Sequence, residues 1–279
     1  MTDLSWMIDC AWKPPRRPLG SKTPAFKKTL PENLKYYRYW DFTIYRTYYG
    51  PSSDEHWETL LGAIRQQTRL AFGYYETESF RKKDRAWQTR RYVSDADYDR
   101  DLRIIKDLFR LFPREDPSLL LGLSIEGIRE ICMQEHSEAK QKMAGADFNF
   151  VLVADEAVLN GIAQGKFAVK AVGYDWDKLD GGWGWERVST GSLLEFWGML
   201  LESRESGIGK YYTFRYEGPE EGLESYLWGG NPSASRFERC SQAQIARRVV
   251  RTERATSDFD WESLLRPHPP RPHHSSIPR

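Results

Sequence analysis

A chain of 279 residues has room for one large domain or one and a half, with an ample core. Charged residues make up 29% of it and the net charge is +1, so no global field draws the molecule to nucleic acid or to a membrane surface. The three cysteines, Cys10, Cys132 and Cys240, lie far apart with neither metal-ligand spacing nor a disulfide framework, which argues against a stapled secreted domain and fits the reducing cytoplasm.

Met1 to Trp12 lacks a basic stretch followed by an apolar run, so no secretory signal is expected. Apolar runs nowhere approach the ~18 residues of a membrane span. Residues 1–35 are rich in proline and lysine and read as a flexible arm. Its cations (Lys13, Arg16, Arg17, Lys22, Lys27, Lys28) suit either RNA contact or simple solvation.

Residues 36–51 contain the stretch Phe42-Thr43-Ile44-Tyr45-Arg46-Thr47-Tyr48-Tyr49-Gly50-Pro51, which reads as strand and then tight turn. Side-chain alternation puts Phe42, Ile44 and Arg46 on one face, and Thr43, Tyr45 and Thr47 on the other. Ser52 and Glu55 form a capping-box pattern. Trp57, Leu60, Leu61, Ile64 and Ala71 follow at helical spacing, which predicts a helix over 52–71. Arg46, a cation at the end of a half-buried strand, must be paired or lie in a cleft. It is read either as a salt bridge to Asp54 or Glu55, or as an anion clamp at a helix N-terminus. His56 reads as a surface or core residue.

The segment 80–92 interleaves Arg81, Lys82, Lys83, Arg85, Arg90 and Arg91 with Phe80, Trp87 and Tyr92. That pattern suits phosphate neutralisation with base stacking, or else a solvated face. A helix is predicted over Asp95–Phe112, with four aspartates in its first turns and a buried face from Tyr98 to Phe112. Pro113 and Pro117 then break the chain. Ser124 caps a further helix that runs to about Met143.

Phe148–Val153 is an apolar run, read as a buried strand. Asp155 and Glu156 follow its carboxyl end, where α/β sheets place their chemistry. The plainer alternative is that Asp155 is an N-cap and Glu156 a first-turn acid. Phe167–Tyr174 alternates as a strand, and Trp183–Val188 reads as another, with Trp183 and Trp185 on one face. A helix bearing Leu193, Leu194, Phe196 and Trp197 comes next. Residues 204–235 give no clear pattern, Gln242–Arg254 suits a basic helix, and from Pro267 the Pro-His-Arg tail is disordered by composition. There is no internal repeat, phosphate-binding glycine motif, nucleophile elbow or zinc pattern. Three units follow: a basic arm at 1–35, one α+β domain over 36–255 with a mixed sheet flanked by helices, and a disordered tail at 256–279.

The stretch Phe42 to Gly50, followed by Asp54-x-x-Trp57-x-x-Leu60-Leu61-x-x-Ile64, resembles a widespread group of small fungal proteins. Phe150 to Glu156 and Gly182-Trp183 agree in layout, so the resemblance covers about residues 36–202. That group includes fungal arginine-containing cyclodipeptide synthases. The resemblance implies an enzyme of secondary metabolism that takes arginyl-tRNA and a second aminoacyl-tRNA and joins the two amino acids in a diketopiperazine. It implies no cofactor and no metal, because the aminoacyl ester is already activated. These synthases carry a DDxxE motif, whose nearest counterpart is Ala154-Asp155-Glu156-Ala157-Val158, without the first Asp or the last Glu. Asp155 and Glu156 are then the expected catalytic pair, with Tyr45, Arg46, Tyr48, Asp54 and Trp57 as substrate-binding residues. Arg81, Lys82, Lys83, Arg85, Arg90 and Arg91 are the expected tRNA contacts. Two other readings of the chain are a different pathway enzyme or small-molecule binder, and a non-catalytic interaction protein whose aromatics are core and whose acids are caps.

Overall fold

The computed structural model describes residues 11–12, 30–37, 39–74, 95–142, 150–174, 176, 183–197, 214, 216 and 218–229. They form an α+β fold around one mixed five-stranded sheet of order β2-β1-β3-β4-β5. The strands are β1 (Trp40–Arg46), β2 (Phe109–Arg114), β3 (Phe150–Ala154), β4 (Ala168–Gly173) and β5 (Trp185–Ser189). The first three are parallel, with Tyr45 opposite Arg114 on one side and Val153 on the other. β4 and β5 continue the sheet antiparallel, with Lys170 opposite Val153 and Arg187.

Helices among the described residues include α1 (Ser53–Tyr74), α2 (Asp95–Leu108), the single turn α3 (Pro117–Leu120), α4 (Ile125–Lys142) and α5 (Glu156–Ala163), and residues 193–197 are also helical. Alternation along the strands builds two separate apolar layers. Trp40, Phe42 and Ile44 point into the larger one, with Trp57, Leu60 and Ile64 of α1, Ile105 of α2 and Leu159 of α5. Tyr45, Val153, Val172 and Trp185 point into the other, against Ile128 and Cys132 of α4 and Leu223. The chain goes from β1 to its neighbour β2, then crosses to β3 on the opposite side of β1. The carboxyl end of β1 is therefore a switch point, where diverging connections leave a crevice.

Three expectations change. The helix predicted to reach Phe112 stops at Leu108, and Phe109–Arg114 is an edge strand instead. Phe109 and Leu111 are buried while Phe112 is 40% exposed, an alternating pattern that a sheet accommodates. An edge position also tolerates Pro113, which has no N–H to donate. The expected arm, secondly, contains parts of the folded domain: Pro31–Tyr36 is a 3₁₀ helix, and buried Trp12 bridges to Tyr37. Its rings stack edge-on against Tyr36 and Tyr37, so an aromatic cluster holds this piece. Third, Ser53 rather than Ser52 carries the side-chain contacts at the start of α1; its hydroxyl donates to Gly50 O at 2.6 Å and accepts from Arg46. Ser52 stands just before the helix in the left-handed region, with φ 58°.

Candidate functional site

Asp155 follows β3 directly and begins α5. One carboxylate oxygen accepts from the Val158 amide at 3.0 Å, which makes it the helix N-cap. The other lies 2.6 Å from Nζ of Lys170. The N-cap reading therefore holds, and the same carboxylate also pairs with a cation across the sheet.

Lys170 stands in the middle of β4 with only 4% of its side chain exposed. A lysine so buried needs partners. Its ammonium pairs with Asp155 and Glu224, and sits 4.7 Å from the centre of the Trp185 ring. Glu224 belongs to a segment, Gly218–Gly229, that lies along β5. Several contacts fasten this segment: Arg187 donates to Glu224 O, and the Trp228 amide to Arg187 O at 2.8 Å. Trp183 Nε1 donates to Gly218 O at 2.9 Å, and the Tyr216 amide donates to the buried carboxylate of Glu186 at 2.9 Å.

Between this segment, the start of α4 and the carboxyl end of β3 lies a cleft of about 420 Å³. Leu123, Ser124, Ile125 and Val153 form part of its wall, with Trp185 beside them. Glu126, Asp155, Glu220, Glu221 and Glu224 line it, and Lys170 is the one basic side chain among the described residues that does. Glu220 also accepts from Trp185 Nε1 at 3.4 Å. Arg129 of α4 braces the rim: it donates to Gly173 O at 3.0 Å and to Trp183 O at 2.9 Å. The cleft is strongly acidic with an aromatic side, which suits a cationic, planar ligand group. No group of His, Cys, Asp and Glu among the described residues is spaced to hold a metal ion.

The other expected site residues separate. Glu156 is exposed and outside the cleft lining, because the first turn of α5 carries it away from the sheet. Tyr45 and Arg46 cannot share a pocket, since adjacent strand residues face opposite ways. Tyr45 is 3% exposed and donates to Glu135 at 3.3 Å, in a cluster with Arg114 and Cys132. Burial raises the Tyr45 hydroxyl well above its ordinary value and pushes the Cys132 thiol up to about 11, so neither supplies an anion at neutral pH. Trp57 is core, 1% exposed, and Tyr48 folds its ring back over Gly50.

Arg46 is enclosed by its own structure. It donates to Tyr48 O at 3.0 Å and to Ser53 at 2.8 Å, pairs with Asp54, reaches Glu115 at 3.5 Å, and stacks on the Tyr49 ring at 4.5 Å. The salt-bridge reading with Asp54 is the one the geometry supports. The group Tyr45, Arg46, Tyr48, Asp54 and Trp57 is therefore not assembled into one pocket. Arg81, Lys82, Lys83, Arg85, Arg90 and Arg91 lie outside the described residues.

The sequence reading passed over Lys170, Trp185 as a cleft residue, and Glu220 to Glu224. Lys170 had a signal: a lone charge inside the otherwise apolar strand Ala168–Gly173. The glutamates had none, because their segment shows no periodicity. No family model, curated protein or solved structure matches the chain.

Proposed function

We propose that the chain is a tRNA-dependent cyclodipeptide synthase of fungal secondary metabolism. It takes arginine from arginyl-tRNA and a second amino acid from another aminoacyl-tRNA, and closes them into a diketopiperazine. The observation that carries this reading is the cleft: five carboxylates and an indole around one buried lysine, beside the carboxyl end of a central parallel strand. Carboxylates accept a guanidinium in bidentate pairs, and an indole face stacks on it. Glu220 and Glu221 form the cation-accepting side, with Glu126 beside them 3.9 Å from Arg129, and Asp155 lies deeper, against Lys170.

The chemistry asks for positioning and proton transfer. The amine of one aminoacyl group attacks the ester carbon of the other, so a C–N bond forms and the bond to the tRNA ribose oxygen breaks. The amine loses a proton to a cleft carboxylate, and the ribose oxygen takes one up. A second, intramolecular attack closes the ring and frees the second tRNA. The basic segment 81–91 carries the tRNA backbone in this reading, since its charge suits phosphates as the cleft's does not.

The test is mass spectrometry of extracts from a heterologous host that expresses this chain alone, repeated with the purified chain and charged tRNAs. A new arginine-containing cyclodipeptide is expected. A Glu220→Gln/Glu221→Gln variant, folded by circular dichroism, should lose it through weaker arginyl-substrate binding. Soluble, folded protein that yields no such product from charged tRNAs overturns the proposal.

A further inference from the structure

We infer that Lys170 is the catalytic cation of this cleft, donating a hydrogen bond to the ester carbonyl oxygen as negative charge develops on it. The inference rests on the synthase reading and adds a residue outside the family motif.

Aminolysis of an ester needs two kinds of help. A base must take the amine's proton, and a donor must meet the oxyanion of the tetrahedral intermediate. Carboxylates are plentiful in the cleft, and any of them worsens an oxyanion nearby. Lys170 is the one cationic side chain among the described residues that lines it. Its surroundings are those of a held donor rather than a loose surface lysine. It is 4% exposed, Asp155 fixes it at 2.6 Å, Glu224 fixes it from the other side, and Trp185 lies beside it at 4.7 Å. An ammonium has three N–H donors, and two carboxylates take two of them. The third is available to a substrate oxygen in the cleft.

Asp155 is then a positioning residue. Its second oxygen caps α5, so the carboxylate cannot swing, and the lysine it holds cannot swing either. Glu224 is 46% exposed and touches the same ammonium, which makes it the proton acceptor best placed for the attacking amine. In the full step the amine nitrogen bonds to the ester carbon while the carbonyl oxygen takes the negative charge and Lys170 stabilises it. The amine proton passes to Glu224. When the carbonyl re-forms, the ribose oxygen leaves and takes that proton, so the carboxylate is regenerated.

The experiment is steady-state and single-turnover cyclodipeptide formation from charged tRNAs by the full chain and by Lys170→Ala and Lys170→Arg. Lys170→Ala should lower kcat by about 100-fold or more, the size of a lost oxyanion donor, with KM for arginyl-tRNA within about 3-fold of the wild type. Propylammonium ions should restore part of that rate by refilling the vacated space. Lys170→Arg keeps the charge, so a variant that folds by circular dichroism should still be slowed about 10-fold, because a planar fork does not place its donor where an ammonium does. A folded Lys170→Ala with wild-type kcat overturns the assignment; should that variant not fold, a Lys170→Arg enzyme at full rate overturns it. Product from the wild type keeps the synthase reading whatever Lys170 does. No product from the wild type removes the reaction and this assignment together.

Discussion

Arg46 shows what a cation does at the end of a buried strand. Alternation put it on the Phe42 and Ile44 face, and burial there required partners. The structure supplies them from three directions: the turn after β1, the first residues of α1, and Glu115 after β2. Its guanidinium therefore ties three segments together. Arg46→Met should cost about 1–3 kcal/mol in urea denaturation, because the buried oxygens of Tyr48 and Ser53 lose their donor. Asp54→Asn should cost less than about 1 kcal/mol, since Asp54 is 92% exposed and water replaces what it loses. Equal effects would mean that the ion pair, and not the buried fork, holds the junction. The pairing to Asp54 was legible from the sequence. Its shielding from ligands was not, because Tyr48 O and Glu115 enter only through the turn and through a strand whose existence the helical pattern concealed.

At the scale of elements, the boundary at Leu108 and Phe109 marks where local pattern fails. Tyr98, Leu102, Ile105, Leu108, Phe109 and Phe112 satisfy helical spacing, yet the last two belong to β2. Six ladder positions against β1 outweigh one more helical turn, and the pairing partner lies about 69 residues back in the chain, where no local window reaches. The β4–β5 connection is specified more locally. Gly184 has φ 66°, and a Cβ there would collide with the Trp176 indole. Its carbonyl also accepts from the Gly173 amide at 2.8 Å, closing the hairpin. Gly165 has a similar φ of 75°, but open space around it. Gly184→Ala should therefore destabilise by about 3 kcal/mol or more, as backbone strain and overpacking add. Gly165→Ala should cost only about 1–2 kcal/mol, from strain alone. Thermal melts of both variants check the difference, and similar losses would show that Trp176 yields freely. Because this hairpin carries both Lys170 and Trp185, the Gly184 variant should also disturb the cleft.

For the molecule as a whole, the sequence announced a mixed sheet with helices on both sides, and it placed β1, β3, β4 and β5 within a few residues. It did so because each strand carries its own apolar alternation or run. The cleft was only half legible. Asp155 stood out by its place after a central strand, whereas its partners Lys170 and Glu224 come from distant segments that only the closed sheet brings together. The sheet also encloses a charge that local pattern did not flag. Asp41 on β1 is 7% exposed, and one of its carboxylate oxygens has no hydrogen-bond partner. Arg110 stands opposite it in register, but donates to Asp107 O at 2.6 Å and Phe109 O at 2.9 Å and stacks on Tyr39. With that cation engaged elsewhere, burial raises the Asp41 carboxyl from 3.8 to about 7. The native state thus holds a proton that the unfolded chain releases at lower pH. The stability tied to this group is complete below the unfolded value of 3.8 and falls as pH rises, until it is lost above about 7. Asp41→Asn removes the ionised form and keeps the shape. Its urea-unfolding free energy should match the wild type near pH 4 and exceed it by about 3–4 kcal/mol near pH 8, with the gap opening between those limits. Taking the difference between the two proteins at each pH cancels the other carboxylates, which titrate alike in both. Parallel curves from about pH 4 to pH 8 would mean that Asp41 is already ionised in the fold, with water reaching it from the edge of the sheet.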